Sequence, residues 1–264
     1  MKRFPPERIV CLTEETVETL YLLGEQNRIV GVTGFAVRPK GVRQEKPRVS
    51  AFTSADIGKI TALTPDLVLT FSDLQADIAA ELLRAGITVV GYNQRDVAGI
   101  LAMIEHLGAM VGKPEQAQAL TNQYRGCLDE VAKRAQCKSQ RPLRVYFEEW
   151  DSPLISGIGW VSELIEIAGG CDVFADRAAA ADARSRIIEP TAVIDAAPEV
   201  ILASWCGKKV RSEHIAGRDG WQAIPAVQNN QITEIKSPLI LQPGPAALTE
   251  GLAAIRSALA AAGQ

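Results

Sequence analysis

The sequence predicts an α/β protein with two parallel-sheet lobes joined by a single long interdomain helix, with a ligand cleft between the lobes. First, the motif ITALTPDLVLTF at 60–71 returns as VIDAAPEVILASW at 193–205. Second, buried-strand runs alternate with amphipathic stretches in both halves, as βαβ units require. Third, a helical stretch at 113–138 contains no strand. We therefore expect a lobe at 1–112, a linking helix at 113–138 and a second lobe at 139–264.

Strands and helices alternate along the first lobe. The apolar, β-rich runs predict strands at 8–12, 28–32, 66–71 and 87–92. The stretches with helical periodicity predict helices at 15–23, 55–63, 74–85 and 96–112. The segment 33–54 is polar and rich in Arg, Lys and Pro, so it predicts a loop.

The second lobe repeats this order. Its predicted strands are at 144–150 and 199–204, with another after the turn at Asn229–Asn230. Its predicted helices are at 159–170, 190–197 and 243–262, and 175–186 predicts a loop or irregular helix.

Composition excludes several classes of protein. Hydrophobic residues make up 47% of the 264 residues and charged residues 22%, which is ordinary for a globular chain. The net charge of -3 without a basic run argues against nucleic-acid binding, and no apolar run is long enough to insert into a membrane. We expect a monomer.

The N-terminus and the cysteines together predict a compartment. MKRFPPERIVCL has no apolar core of a secretory signal, because prolines and charges follow its basic start. The cysteines are odd in number and scattered, which suits a reducing compartment: Cys11, Cys127, Cys137, Cys171 and Cys206. We therefore expect a cytoplasmic protein, with a periplasmic one as the alternative if a signal peptide has been removed.

No motif supports an enzyme. The chain lacks GxGxxG, GxxxxGK[ST], GxSxG and HExxH. Only His106 and His214 could supply imidazole, so neither a His-rich metal site nor a catalytic histidine is expected. We expect no catalytic residue, no metal and no covalently held cofactor.

Aromatic residues instead follow the predicted strands. In open α/β sheets, ligands bind at the carboxyl ends of the strands, and aromatic faces there suit a large flat or apolar ligand. The candidates at or just past strand ends are Phe52, Phe71, Trp150, Trp160 and Trp205. Some of them are alternatively core residues, above all Phe52 and Trp160.

Polar groups surround these rings in FSDLQ (71–75), EEWD (148–151) and SWCGKK (204–209). From these segments, and from the LQPG segment before the last helix, we take as ligand-binding candidates Ser72, Glu149, Cys206 and Gln242. Cys206 is alternatively a soft metal ligand or an inert thiol, and Lys208 and Lys209 alternatively form a solvated turn.

The order and spacing of several segments resemble the cobalamin/siderophore group of ABC-importer substrate-binding proteins, most of all its cobalamin-binding branch. The segments are RIVCLTEETVETLYLLG, RIVGVTGF, IGKITALTPDLVL, SGIGWVSELIEIAGGCDVF and GWQAIPAVQNNQITEI. The resemblance implies non-enzymatic capture of a corrinoid ligand between two lobes. The positions that match the family's ligand contacts are Phe35, Phe52, Phe71, Trp150 and Trp205.

The same resemblance implies a docking pattern that this chain lacks. The family docks to its permease through one surface glutamate on each lobe. The matching positions are Gly58 and Thr191, while Asp56 and Glu189 lie nearby but are displaced. We therefore expect no permease docking of the usual kind.

Two alternative functions stay open. One is a siderophore or haem binding protein of an ABC importer, although the acidic run at 148–151 argues against an anionic ligand. The other is a cytoplasmic protein that processes a corrinoid or metal chelate, with Cys206 or Glu149 as the working group.

Overall fold

The computed structural model describes residues 4–137, 141–180 and 182–263. The chain forms two compact units. The first contains residues 1–94 and 98–122, and the second contains 95–97 and 123–264. The predicted lobe boundaries stay a prediction, and the last residue of the predicted linking helix, 138, lies outside the described residues.

The first unit is a five-stranded parallel sheet with the order β3-β2-β1-β4-β5. Its strands are β1 Ile9–Cys11, β2 Ile29–Thr33, β3 Arg48–Ser50, β4 Leu67–Phe71 and β5 Val89–Tyr92. The helices are α1 Glu14–Leu22, α2 Val42–Glu45, α3 Ile57–Ala62, α4 Ala76–Arg84 and α5 Val97–Met110, whose first residue belongs to the second unit. Helix α6, Pro114–Gln136, contributes residues to both units.

Burial explains the strand pattern of the first unit. Every residue of β1 and β4 is buried, as expected for strands covered on both faces, so they read as continuous apolar runs. Helix α4 places Ile78 and Leu82, four residues apart, against this sheet. Ile60 of α3 joins the same core.

The predicted loop at 33–54 is wrong in part, because it contains α2 and β3. Strand β3 pairs with β2 through Val32↔Arg48 and Thr33↔Ser50. Of the three residues of β3, only the central one, Val49, is buried. A single buried residue between polar neighbours does not produce the alternating apolar pattern that predicts a strand.

The second unit contains a mixed sheet with the order β10-β9-β6-β7, with β8 also beside β6. Its strands are β6 Leu143–Asp151, β7 Leu154–Ser156, β8 Gly170–Asp172, β9 Val200–Ala203 and β10 Ile232–Glu234. Its helices are α7 Gly159–Ile167, α8 Ala175–Ala178, α9 Pro190–Ala196, α10 Ser212–Ala216, α11 Pro225–Gln228, α12 Ser237–Ile240 and α13 Leu252–Ala262.

Two features of this unit differ from the expectation. Strand β7 returns antiparallel to β6, with Glu148↔Ser156 in register, whereas the other strand pairs of the sheet are parallel. The closing helix begins with a π-helical turn at Ala247–Gly251. A Cβ at Gly251 would lie 2.4 Å from the carbonyl oxygen of Leu239, so the close approach requires glycine.

The internal repeat is confirmed by a pair of matching hydrogen-bond clamps at the amino ends of the strands. Arg8 donates from its guanidinium to the carbonyl that follows α3 (2.6 Å), and Arg144 donates to the last carbonyl of α9 (2.6 Å). Asp66 accepts from the backbone N–H of Arg8 (3.0 Å), and Glu199 accepts from that of Arg144 (3.0 Å).

None of the helices in the described ranges has both the length and the apolar character needed to span a membrane.

Candidate functional site

The carboxyl edge of the first unit's sheet gathers four of the predicted ligand contacts. Phe71 ends β4 and Ser72 follows it, while Phe35 and Phe52 lie in the loops after β2 and β3. Because the strands are parallel, these loops meet at one edge. Phe35 is 42% exposed, Phe52 and Ser72 are half-buried, and Phe71 is buried. Their contact with a ligand stays a prediction.

Gln75 connects three of the loops at this edge. Its side-chain nitrogen donates to the carbonyls of Leu12 (3.3 Å) and Phe52 (2.8 Å). Its side-chain oxygen accepts from the backbone N–H of Phe71 (3.0 Å). Gln75 is buried, so it positions the loops rather than facing solvent. Nothing in the sequence indicates this role beyond the polar character of FSDLQ.

We expect Gln75→Met to lower the free energy of unfolding by about 2–4 kcal/mol, because three buried backbone groups lose a partner. Urea unfolding followed by circular dichroism measures the change. Gln44→Met, at an exposed position of α2, is the matched control and should stay within about 0.5 kcal/mol of the wild type. Equal effects of the two substitutions would contradict the connecting role.

Two consecutive buried glutamates begin α1, directly after β1. Glu14 is 6% exposed and Glu15 is 1% exposed. Thr13 donates its hydroxyl to Oε1 of Glu15 (2.5 Å), while Oε2 of each glutamate has no hydrogen-bond partner among the described residues. This pair was not among the predicted site residues, although two glutamates directly after a buried strand are a signal visible in the sequence.

Burial controls the protonation of both carboxyls. It raises the pKa of Glu14 to about 8, aided by repulsion from Glu15 and Glu18, while Arg43 acts in the opposite direction. Burial likewise raises the pKa of Glu15 to about 7, against the lowering effect of the Thr13 hydroxyl. At neutral pH the pair therefore retains a proton that ordinary glutamates lose.

These shifts predict that stability falls as the pH rises. Between the ordinary glutamate pKa of 4.5 and the folded values of about 7 and 8, the folded chain binds more protons than the unfolded chain. Each carboxyl then lowers the unfolding free energy by up to about 1.4 kcal/mol per pH unit. Urea unfolding from pH 5 to pH 8 should show a flatter profile for Glu14→Gln/Glu15→Gln. An identical slope in both proteins would contradict the assignment.

In the second unit, the carboxylate of Glu148 is the centre of a buried network at the carboxyl end of β6. Glu148 is 0% exposed. It accepts two hydrogen bonds from the guanidinium of Arg218 (2.5 and 2.9 Å), one from the Trp205 indole (3.1 Å) and one from the Tyr146 hydroxyl (3.3 Å). Arg218 also lies over the ring of Trp221, 4.4 Å from its centroid.

Trp150 and Trp205 lie at the same edge but in different surroundings. Trp150 is half-buried in β6, and its indole N–H donates to the carbonyl of Ser152 (3.0 Å). Trp205 is 2% exposed and belongs to the hydrophobic core of this unit. Lys208 lies 5.4 Å from the ring centroid of Trp150 and 4.9 Å from that of Trp205. Lys208 therefore contacts both indole rings and is not only a residue of a solvated turn.

The acidic run at 148–151 is neutralised by basic residues. Glu149 forms two hydrogen bonds with the buried Arg186 (2.5 and 3.0 Å), and Asp151 pairs with Lys208 (2.5 Å). Glu148 pairs with Arg218 (2.5 Å). The argument that this run disfavours an anionic ligand is therefore wrong, because the acids are paired with cations far away in sequence.

Three further candidates are Trp160, Cys206 and Gln242. Trp160 is the second residue of α7 rather than a strand-end residue, and its buried indole donates to the carbonyl of Ile240 (2.8 Å). Cys206 is exposed, and Gln242 is half-buried after α12. Within the described ranges, no group of three or more acidic, His or Cys side chains could hold a metal ion. Ligand contact by these residues stays a prediction.

A cavity of about 480 Å³ lies in the first unit, away from the predicted contacts. Its lining includes Phe4, Leu67, Thr88, His106 and Met110. His106 is 3.2 Å from the hydroxyl of Tyr92.

Comparison with known proteins places the chain among binding proteins. It is 28% identical to the vitamin B12-binding protein of Vibrio cholerae over 94% of this chain and 87% of that protein. It is 27% identical to an uncharacterized ABC transporter substrate-binding lipoprotein of Bacillus subtilis, over 94% of this chain and 78% of that protein.

Solved structures share the fold. The periplasmic vitamin B12 binding protein BtuF of Vibrio cholerae superposes with a TM-score of 0.79 and 25% identity, covering 99% of this chain and all of that one. The periplasmic haem-binding protein RhuT of Roseiflexus superposes with a TM-score of 0.80 and 23% identity, covering 96% and 99%. The predicted fold class, two α/β lobes with parallel sheets, is thereby confirmed.

The expectation of a cytoplasmic protein is wrong. The Vibrio structure is that of a periplasmic protein, and the Bacillus relative is a lipoprotein, so both kinds of relative work outside the cytoplasm. Unpaired thiols are compatible with either compartment, so the scattered cysteines do not indicate a cytoplasmic protein.

The family model covers most of the chain, from the first strand to α12. It describes periplasmic binding proteins and matches residues 9–239. Together with the shared fold and the relatives that span nearly the whole length, this match shows that the chain belongs to the periplasmic binding protein family.

Proposed function

We propose that this chain binds a corrinoid without changing it chemically, for delivery to an ABC importer. The observation that carries the proposal is the set of aromatic residues at the carboxyl edges of the two sheets. Phe35 and Phe52 are accessible in the first unit, and Trp150 is accessible in the second. The vitamin B12-binding relative, similar over 94% of this chain, supports a corrinoid as the ligand.

The chemistry of these edges suits a large ligand with a polar rim. Aromatic faces bury considerable apolar area against a flat macrocycle. Ser72 and the Glu14–Glu15 pair supply polar groups at the same edge of the first unit's sheet. We expect the rings to supply most of the affinity and the polar groups to fix orientation.

An anionic chelate such as haem is a second candidate. The observation that favours it is the neutralised acidic run of the second unit, because Arg186, Arg218 and Lys208 each pair with one of its acids and the run therefore does not repel an anion. The side chain of Lys208 is 49% exposed, so it could meet an anionic group of a ligand.

Titration of the purified chain with cyanocobalamin, cobinamide, haem and a ferric siderophore separates these candidates, with tryptophan fluorescence as the readout. We expect the corrinoids to bind most tightly and to be recovered chemically unchanged. Tighter binding of haem or of the siderophore would replace the corrinoid proposal. Recovery of an altered corrinoid would instead indicate a processing enzyme.

We also propose that Asp56 and Glu189 supply the contacts with the permease. Each lies nine residues before the proline of its repeat, Pro65 or Pro198. Each is exposed at the N-cap position of its helix, α3 or α9. The two units therefore present a carboxylate at equivalent places, although both are displaced from Gly58 and Thr191.

Charge reversal tests this docking proposal. Asp56→Lys/Glu189→Lys should retain ligand affinity and lose uptake of labelled ligand in cells whose own copy of the gene is deleted. Glu130→Lys, a charge reversal at an exposed position of α6, is the control. Normal uptake with the double variant would exclude these two acids as docking contacts.

A further inference from the structure

The Glu14–Glu15 pair lies where a ligand of the first unit would be expected. Both residues follow β1 at the carboxyl edge of the parallel sheet, the edge that also carries Phe35, Phe52 and Phe71. The connection through Gln75 shows that these loops are close together, because Gln75 bonds to the loop after β1 and to that after β3.

Glu15 is held in place by its neighbours, yet the pair is incompletely satisfied. Thr13 donates to one carboxylate oxygen of Glu15 (2.5 Å), and the hydroxyl of Thr19, one turn later in α1, donates to the backbone carbonyl of Glu15 (2.8 Å). Oε2 of Glu14 and Oε2 of Glu15 are buried without a hydrogen-bond partner in the described part of the chain. Buried polar atoms in native proteins are almost always paired, so two adjacent exceptions at a ligand-binding edge point to a ligand.

The equivalent edge of the second unit provides a contrast. There two consecutive glutamates lie within β6, near its carboxyl end, and Glu148 and Glu149 each engage an arginine through two hydrogen bonds. The first-unit pair keeps open the hydrogen-bonding capacity that Arg218 and Arg186 occupy in the second unit.

The charges around Glu14 and Glu15 determine which kind of ligand group would bind there. Glu18, one turn along α1, adds further negative charge, although Arg38 pairs with it (2.9 Å). Arg43 attracts Glu14, but its guanidinium also donates to the carbonyl of Gly34 (3.2 Å). A ligand carboxylate placed here would meet like charge, whereas an N–H donor would meet an acceptor.

We propose that Glu14 and Glu15 determine specificity by hydrogen-bonding a primary amide on the rim of the ligand and disfavouring a carboxylate in the same place. This inference rests on the proposed corrinoid function, because a corrinoid carries amides around its macrocycle and haem carries carboxylates. Two carboxyls of which one keeps its proton offer one donor and one acceptor, which match the C=O and N–H groups of a primary amide.

The test compares cyanocobalamin with its monocarboxylates, in each of which one peripheral amide has been hydrolysed. Wild-type protein should bind at least one monocarboxylate isomer roughly tenfold more weakly than cyanocobalamin, because a site built for an amide is left mismatched. In Glu14→Gln/Glu15→Gln, which can donate to a carboxylate, this ratio should fall to about twofold or less.

Glu45→Gln is the matched control, because Glu45 lies exposed on α2 and bonds to the Tyr21 hydroxyl. It should keep the wild-type ratio, and thermal melting confirms that each variant is folded. Corrinoid binding with equal affinity for every monocarboxylate, or an unchanged ratio in the double variant, would overturn this inference alone. Failure of the wild type to bind any corrinoid would overturn the proposed function and the inference with it.

Discussion

Replacing Arg218 with methionine should lower the free energy of unfolding by about 3–5 kcal/mol. The reason is the fully buried carboxylate of Glu148, which would lose both guanidinium hydrogen bonds. Trp205 and Tyr146 would remain as donors, but neither carries a charge. Denaturant unfolding, with fluorescence and circular dichroism as independent probes, measures the loss.

Two companion variants make this result interpretable. Glu148→Gln/Arg218→Met removes both charges, so it should be less destabilised than Arg218→Met alone. Arg134→Met removes an exposed partner of Glu130 on α6, and it should change stability by less than about 1 kcal/mol. If Arg218→Met lowers the free energy of unfolding no more than Arg134→Met does, the buried carboxylate of Glu148 must be stabilised by groups other than Arg218.

Trp205→Ala should destabilise the protein by about 3–5 kcal/mol, because the indole is 2% exposed within the core of the second unit. Trp150→Ala should change stability far less, since its ring is half-buried at the strand end. If Trp150 contacts the ligand, the same change should weaken corrinoid binding by about 1–3 kcal/mol.

Phenylalanine substitutions at Trp150 and Trp205 distinguish the contribution of the aromatic ring from that of the indole hydrogen bond. Trp205→Phe retains most of the buried ring but loses the hydrogen-bond donor to Glu148. Its free energy of unfolding should therefore lie between those of the wild type and Trp205→Ala. Trp150→Phe should retain most of the affinity that stacking supplies. Equal stability of Trp205→Ala and Trp150→Ala would contradict the difference in their surroundings.

The fold was predictable where one segment carries its own signal. Strands β1 and β4 can be predicted from their continuous apolar runs, which occur because both faces of these strands are buried. The duplicated motifs at 60–71 and 193–205 identify the repeat. Strand β3 could not be found in this way, because Val49 is its only buried residue and β3 gains its identity from pairing with β2.

The site was predictable only at the level of residue type. The rule that aromatics follow strands selected Phe71 and Trp150, which do lie at strand ends, but it also selected Trp160, which lies in a helix. The pairing of Glu148 with Arg218 joins residues 70 positions apart, and no local pattern encodes such a distance. The acidic run therefore looked unpaired in sequence, although it is neutralised in three dimensions.

The arginine clamps at Arg8 and Arg144 hold the amino ends of the two sheets in the same way. Each guanidinium binds a carbonyl at the end of a helix, and each backbone N–H is held by a carboxylate. At the opposite ends, Glu148 is paired with Arg218, whereas Oε2 of Glu14 and Oε2 of Glu15 have no hydrogen-bond partner among the described residues. Substitutions at the carboxyl ends can therefore alter ligand contacts while the amino ends continue to anchor the scaffold.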